Sequence, residues 1–206
     1  MTNISAFTTG FAISGALIIA IGAQNSFVLR QGLRREHVGP IVLFCALADL
    51  LFIATGVAGL GLALKHMPML SAILTVGGAS FLFWYGLSAL RRAITPSTLT
   101  ASTAPTNTSL RATLLRTAGF TFLNPHVYID TMVLVGVIGG ALPAVFHPAF
   151  VAGAGFASLL WFCTLGFGAR LLAPLFATKN AWRALDGIVA TTMFTIAARL
   201  LLEIIH

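Results

Sequence analysis

The chain has 206 residues, of which 58% are hydrophobic and only 8% charged, and its mean hydropathy is +0.96. Soluble domains are about 45–50% apolar and about 25% charged, so too few polar side chains are present to cover a water-facing surface. A soluble enzyme, a secreted disulfide scaffold and a disordered chain are disfavoured, and an integral membrane protein remains. The formal charge of +7 does not indicate nucleic acid, because the twelve Lys and Arg are scattered at the ends of apolar runs and form no single basic patch.

Six apolar stretches follow in chain order, at about Phe7–Leu29, Val38–Leu64, Met69–Leu90, Thr117–Leu142, Ala149–Leu172 and Ala184–Ile205. Each is long enough to cross a bilayer, which takes about 20 residues of helix. The runs are continuously apolar instead of alternating, so helices are expected and not a barrel. The first is read as a retained span and not a signal peptide, since Met1–Gly10 carries no Lys or Arg and the run exceeds an h-region. Cys45 and Cys163 each stand alone in an apolar run, so neither a disulfide, a redox pair nor a metal site is indicated. No cofactor is implied.

Basic residues set the expected orientation. Arg30, Arg34 and Arg35 follow span one; Arg91, Arg92, Arg111 and Arg116 separate spans three and four; Arg170, Lys179 and Arg183 separate spans five and six. The other side has only Lys65 and Arg199. The basic loops are therefore expected in the cytoplasm, with both termini outside it, in a multi-pass protein of the cell inner membrane. The segment Thr95–Ser109 is rich in Ser, Thr, Ala and Pro and reads as a flexible linker. It separates a first three-helix repeat, 1–92, from a second, 111–206, with 93–110 as the connecting stretch.

Three spans per half require the second half to sit upside down relative to the first, the inverted-repeat plan of many secondary transporters. In that plan the site forms where corresponding helices break near the midplane. Span one contains Gly22-Ala23-Gln24-Asn25 and span four contains Asn124-Pro125. Pro125 removes a backbone donor and Gly22 weakens a helix, so both are expected breaks. A helix N-terminus after each break points N–H groups at an anion such as a carboxylate.

Among the five acids, Glu36, Asp186 and Glu203 read as interfacial or solvated. Asp49 lies twelve residues beyond His37, roughly 18 Å deep at about 1.5 Å per residue, and Asp130 is at similar depth. A carboxylate there costs about 2.5–3.5 kcal/mol, so the pair is expected to serve a cation or a proton. The rival is a structural hydrogen bond or an internal ion pair, with Arg199 as the candidate partner; Arg199 is able to snorkel outward, which leaves no basic residue of comparable depth to compensate them. His126, four residues before Asp130, shares its helix face and suits a proton relay. Trp84 is a candidate for stacking on substrate. Polar groups that merely hold helices together, as in a membrane adaptor, or an intramembrane enzyme using His126 and Asp130, are the rival readings.

The motifs together resemble those of the lysine/arginine exporter (LysE/ArgO) family. The resemblance rests on Gly22-Ala23-Gln24-Asn25-Ser26-Phe27-Val28-Leu29 with Gln31-Gly32, on Cys45-Ala46-Leu47-Ala48-Asp49-Leu50, on Phe83-Trp84-Tyr85-Gly86 and on Leu123-Asn124-Pro125-His126-Val127-Tyr128-Ile129-Asp130-Thr131. The family usually has Pro where this chain has Ala23, which implies a softer break in span one. The resemblance implies export of L-arginine and/or L-lysine from the cytoplasm, driven by protons or the membrane potential. Exporters of neutral amino acids or divalent metals are the nearest alternatives. Gly-rich spans two and three permit a homo-oligomer.

Overall fold

The computed structural model describes residues 1–19, 22–59, 68–94, 109–124, 127–176 and 178–205, and every regular element among them is helical. Helix α1, Asn3–Ile18, starts on Thr2, whose hydroxyl accepts the Ser5 N–H. Helix α2, Ala23–Arg34, follows at 83° to it. Arg35 and His37 both adopt left-handed backbone, which turns the chain sharply into α3, Val38–Val57. Helix α4 is Pro68–Ile94. Helix α5, Leu110–Phe122, begins on Ser109, which accepts from the Ala112 N–H. A π-helical stretch, Tyr128–Val135, then runs into an α-helical turn, Gly136–Gly140, and the two form α6. Helix α7 is His147–Gly168, extended by a 3-10 segment, Ala169–Phe176; helix α8 is Lys179–Ile205.

Three helices are long and apolar enough to cross a membrane among the described residues, or four if α1 and α2 make one span. The burial pattern agrees with a lipid surrounding. On α3, Leu43, Leu47 and Leu51 recur every fourth residue and are each more than half exposed, while Asp49 on the opposite face is 5% exposed. A water-soluble helix of this kind would present the reverse pattern.

The stretch expected as span one is thus two helices, as is the stretch Thr117–Leu142. Among the described residues, the helix expected to break at Gly22–Asn25 is non-helical at Gly22 and helical again from Ala23. Gly22 is the extended N-cap residue of α2 (φ −100°, ψ −177°), so Gln24 and Asn25 fall in its first turn. The linker at 95–108 and the residues Pro125 and His126 lie outside the described residues.

Helix α8 packs along α4, α1 along α7, and α3 against α7 and α6. Two of these crossings are backbone to backbone. A Cβ on Gly10 would fall on the Phe150 carbonyl and one on Gly153 on the Phe7 carbonyl, so α1 and α7 meet through a glycine on each. Helices α3 and α6 meet in the same way through Gly56 and Gly136. Where lipid is as apolar as the side chains, such close approach is a main source of helix–helix attraction. At one end of the bundle, Phe27, Tyr85 and Phe81 all stack around Phe120, with ring centroids 5.0, 4.6 and 4.9 Å from it.

Beyond this aromatic layer lies a buried charge cluster. Arg30 pairs with Asp186, and Arg92 Nε approaches the same carboxylate oxygen at 3.3 Å. Arg30 and Asp186 are both buried, as is Glu36, which lies 3.7 Å from Arg34. Of the expected interfacial or solvated acids, Asp186 and Glu36 are therefore not solvated. Their burial follows from α8 lying along α4 and from the tight α2–α3 turn, neither of which spacing along the chain encodes.

Two outcomes follow for stability, read as unfolding midpoints of the protein in detergent micelles. Gly10→Ala or Gly153→Ala costs about 1–3 kcal/mol through overpacking, whereas Gly39→Ala, with nothing within 4 Å of its Cβ position, is close to neutral. Asp186→Asn leaves Arg30 buried without its partner and costs about 3–5 kcal/mol.

Candidate translocation site

Helix α1 ends at Ile18 and α2 begins at Ala23, so carbonyls and N–H groups that a continuous helix would pair are left at the junction. The sequence provides partial satisfaction in place. The Asn25 side-chain amide donates to the Ile18 carbonyl at 2.8 Å. The Gly22 carbonyl accepts both the Ser26 N–H, at 3.1 Å, and the Ser26 hydroxyl, at 3.0 Å. The N-cap residue of α2, Gly22, makes no side-chain capping bond. The second half repeats the arrangement with different chemistry, for the Tyr128 hydroxyl donates to the Phe122 carbonyl at the end of α5, at 2.9 Å.

A cavity of about 310 Å³ lies at this junction. Gly22, Gln24 and Asn25 from α2 and Asn124 from the end of α5 border it, and so do Asp49 of α3 and Asp130 of α6. Residues far apart in the chain thus converge on one space. The Gln24 Nε2 group is buried with no hydrogen-bond partner among the described residues, a donor on the rim of a polar cavity. Asp49 is buried, and its polar neighbour on α7 is Ser158, whose hydroxyl is outside hydrogen-bond geometry. Asp130, by contrast, is exposed toward the opening.

Of the residues singled out from sequence, Gln24, Asn25, Asn124, Asp49 and Asp130 are brought together. Trp84 is not among them: it is more than half exposed and borders a separate cavity between α2, α4 and α5. Pro125 and His126 are outside the described residues. Arg199, expected to snorkel away, is exposed yet lines the same cavity as the two acids, because α8 brings it back across the mouth. The cavity is therefore partly charge-compensated. Ser14 of α1, also buried against this space, is unmarked in the sequence, as a lone serine in an apolar run carries no signal. Arg199 had one, being the single basic residue near the end of span six.

The chemical capacity of the site is that of a binding chamber. It offers an amide donor with no partner among the described residues and a helix N-terminus, both suited to an anion, and two carboxyls suited to a cation.

The chain matches the LysE type translocator family over residues 15–204. It is 40% identical over 200 residues to the arginine exporter protein ArgO of Salmonella enteritidis PT4, covering 97% of this chain and 95% of that one. It is 38% identical over 197 residues to the arginine exporter protein ArgO of Serratia proteamaculans, covering 96% of each. YggA of Aeromonas salmonicida is 41% identical over 191 residues, 93% of each chain. No solved structure matches. A lipid-facing helical bundle, with a polar chamber where helices α1 and α2 meet, and a family match over nearly its whole length lead to one conclusion: the chain belongs to the LysE type translocator family, as a multi-pass membrane transporter and not an enzyme.

Proposed function

We propose that the protein exports basic L-amino acids, arginine and/or lysine, from the cytoplasm across the cell inner membrane. The observation that carries this reading is the pairing, in one chamber, of ends suited to both charges of an amino acid with a surplus of carboxyls. The carboxylate of the substrate lies against the Gln24 amide and the N-terminus of α2. The opposite junction, where α1 ends in the Ile18 and Leu17 carbonyl region bordering the cavity, has the negative end of a helix dipole and suits the α-ammonium group. Asp49 and Asp130 receive the cationic side chain. With both carboxyls ionised and Arg199 present, the chamber holds one net negative charge. A substrate carrying one net positive charge neutralises it, and a neutral amino acid does not. The volume, about 310 Å³, is at the small end of the range for small-molecule sites and suits a single amino acid.

The ArgO relatives, named as arginine exporters, support this substrate class. Inverted three-helix repeats, 1–92 and 111–206, find support in the packing. Helices α1 and α7 cross through paired glycines, and so do α3 and α6, as a two-fold relation between spans one and five and spans four and two produces. Alternating access is then a rocking of one repeat against the other. Gln24, Phe27 and Arg30 stand about one helical turn apart along α2, in the chamber, the aromatic layer and the ion cluster respectively, so those two layers close one end of the path. That end carries Arg30, Arg34, Arg92, Arg116 and Arg183, the last bonded to the Ala93 carbonyl at 3.0 Å, and basic residues belong on the cytoplasmic side. Protonation of Asp49 or Asp130 from outside, with His126 as relay, releases the cation and couples export to the proton gradient.

Uptake of labelled arginine and lysine into inverted vesicles tests the proposal. Asp49→Asn and Asp130→Asn each lower it at least about tenfold, equivalent to ~1.4 kcal/mol of lost cation binding, and an uncoupler lowers uptake by the parent protein. Unlabelled arginine or lysine competes, while leucine and cadmium do not. Parent-like transport by both variants would overturn the carboxylate mechanism, and equal competition by leucine or cadmium would favour a neutral amino acid or a divalent cation as substrate.

A further inference from the structure

A second cavity, of about 140 Å³, opens between α2, α4 and α5. Four guanidinium groups border it, those of Arg30, Arg34, Arg92 and Arg116, together with Gln31 and Ser88. The acids available to them are two. Asp186 places one carboxylate oxygen between Arg30 and Arg92, and Glu36 lies beside Arg34. Arg116 makes no ion pair among the described residues, and the group carries two surplus positive charges in a partly buried space. Such surplus charge is unfavourable unless a counter-charge enters.

The polar atoms are aimed accordingly. Among the described residues, Arg92 Nη2 is buried with no hydrogen-bond partner, as is Gln31 Oε1, and Arg30 and Gln31 are each about nineteen-twentieths buried. A half-turn of the Gln31 amide presents its NH₂ group in place of the oxygen. Guanidinium forks match the oxygens of phosphate in bidentate fashion. The cavity is too small for a whole basic amino acid by comparison with ordinary ligand sites, and its cationic lining repels one. It has room for a phosphate group. Apolar surface continues outward from its rim: Trp84 is 54% exposed and Leu115, next to Arg116, is 64% exposed. An occupant with an anionic head and hydrocarbon tails satisfies both regions. Neither acid is among the residues lining the cavity, so an ammonium-bearing zwitterionic headgroup finds no partner there.

We infer that this pocket is a phosphate-oxyanion site, occupied by the headgroup of an anionic phospholipid lying against α4 and α5. The bound lipid would bridge α2, α4 and α5 beside the Arg30–Asp186–Arg92 cluster and steady that end of the bundle.

The test uses the full-length protein, delipidated in dodecyl maltoside, with thermal unfolding and native mass spectrometry as readouts. Phosphatidylglycerol, phosphatidylcholine and inorganic phosphate are the added probes. Phosphatidylglycerol raises the unfolding midpoint and is retained on the protein, and Arg116→Gln weakens this effect about tenfold. Arg116→Lys restores part of it, and Arg111→Gln, an exposed arginine on the same helix outside the cavity, leaves it unchanged. A shift from inorganic phosphate that equals the lipid's and depends on Arg116 upholds the oxyanion site and assigns it to the free anion. Equal stabilisation by phosphatidylcholine, no stabilisation by either lipid or by phosphate, or an undiminished effect in a folded Arg116→Gln variant overturns the proposal.

Discussion

A helix interruption leaves carbonyl and N–H groups without their helical partners, and the residues bordering the polar chamber lie around two such interruptions. At the first interruption, Asn25 turns its amide back to the Ile18 carbonyl, and at the second, Tyr128 turns its hydroxyl back to the Phe122 carbonyl. Each therefore settles the C-terminal end of the helix before it. At the N-terminal end of α2, the N-cap residue Gly22 makes no such bond. A helix N-terminus beside a polar chamber suits an anion, since the dipole and the N–H groups are already oriented.

The same scarcity of solvent governs the charges. Asp49 is tolerated deep in α3 because it faces the chamber while Leu43, Leu47 and Leu51 face outward. Asp130 and Arg199 enter the same space from α6 and α8, so three helices contribute to one electrostatic balance. Removing any one of these groups changes the balance for the others, and for that reason the three are best regarded as a unit. At the other end, Asp186 holds two arginines at once. That cluster joins α2, α4 and α8, and so ties α2 to the packing of the longest helix pair. Between the two charged regions, the rings around Phe120 exclude water and keep the two sets of charges apart.

Much of this was legible in the sequence, for reasons tied to particular residues. Apolar runs of this length identify membrane helices because lipid imposes a composition on everything it touches. Asp49 and Asp130 stood out because a carboxyl at that depth is costly enough to require a purpose, and both border the chamber. Gln24, Asn25 and Asn124 stood out as amides beside helix breakers. The position of the first break was legible only to within a turn, since Gly22 could weaken the helix on either side of itself, and the observed geometry makes it the N-cap. Trp84 borders the other cavity, a placement the sequence does not encode, because an aromatic pair within an apolar run looks the same whichever space it faces. Asp186 and Glu36 looked solvated, for each lies near arginines in a loop or at a helix start.

Composition and spacing by themselves thus determined that this chain lives in a membrane, that it is helical, and which few polar residues lie at depth. They do so because the bilayer acts on each segment separately, through its length and its charges. The tertiary structure alone decided which of those residues share a space. It drew Arg199 over the acids, buried Asp186 between Arg30 and Arg92, and set Trp84 at a different cavity. Such outcomes depend on how helices cross, here on glycines at Gly10, Gly56, Gly136 and Gly153 that let backbones touch. Crossing geometry is a property of pairs of helices distant in the chain, and no single segment contains it.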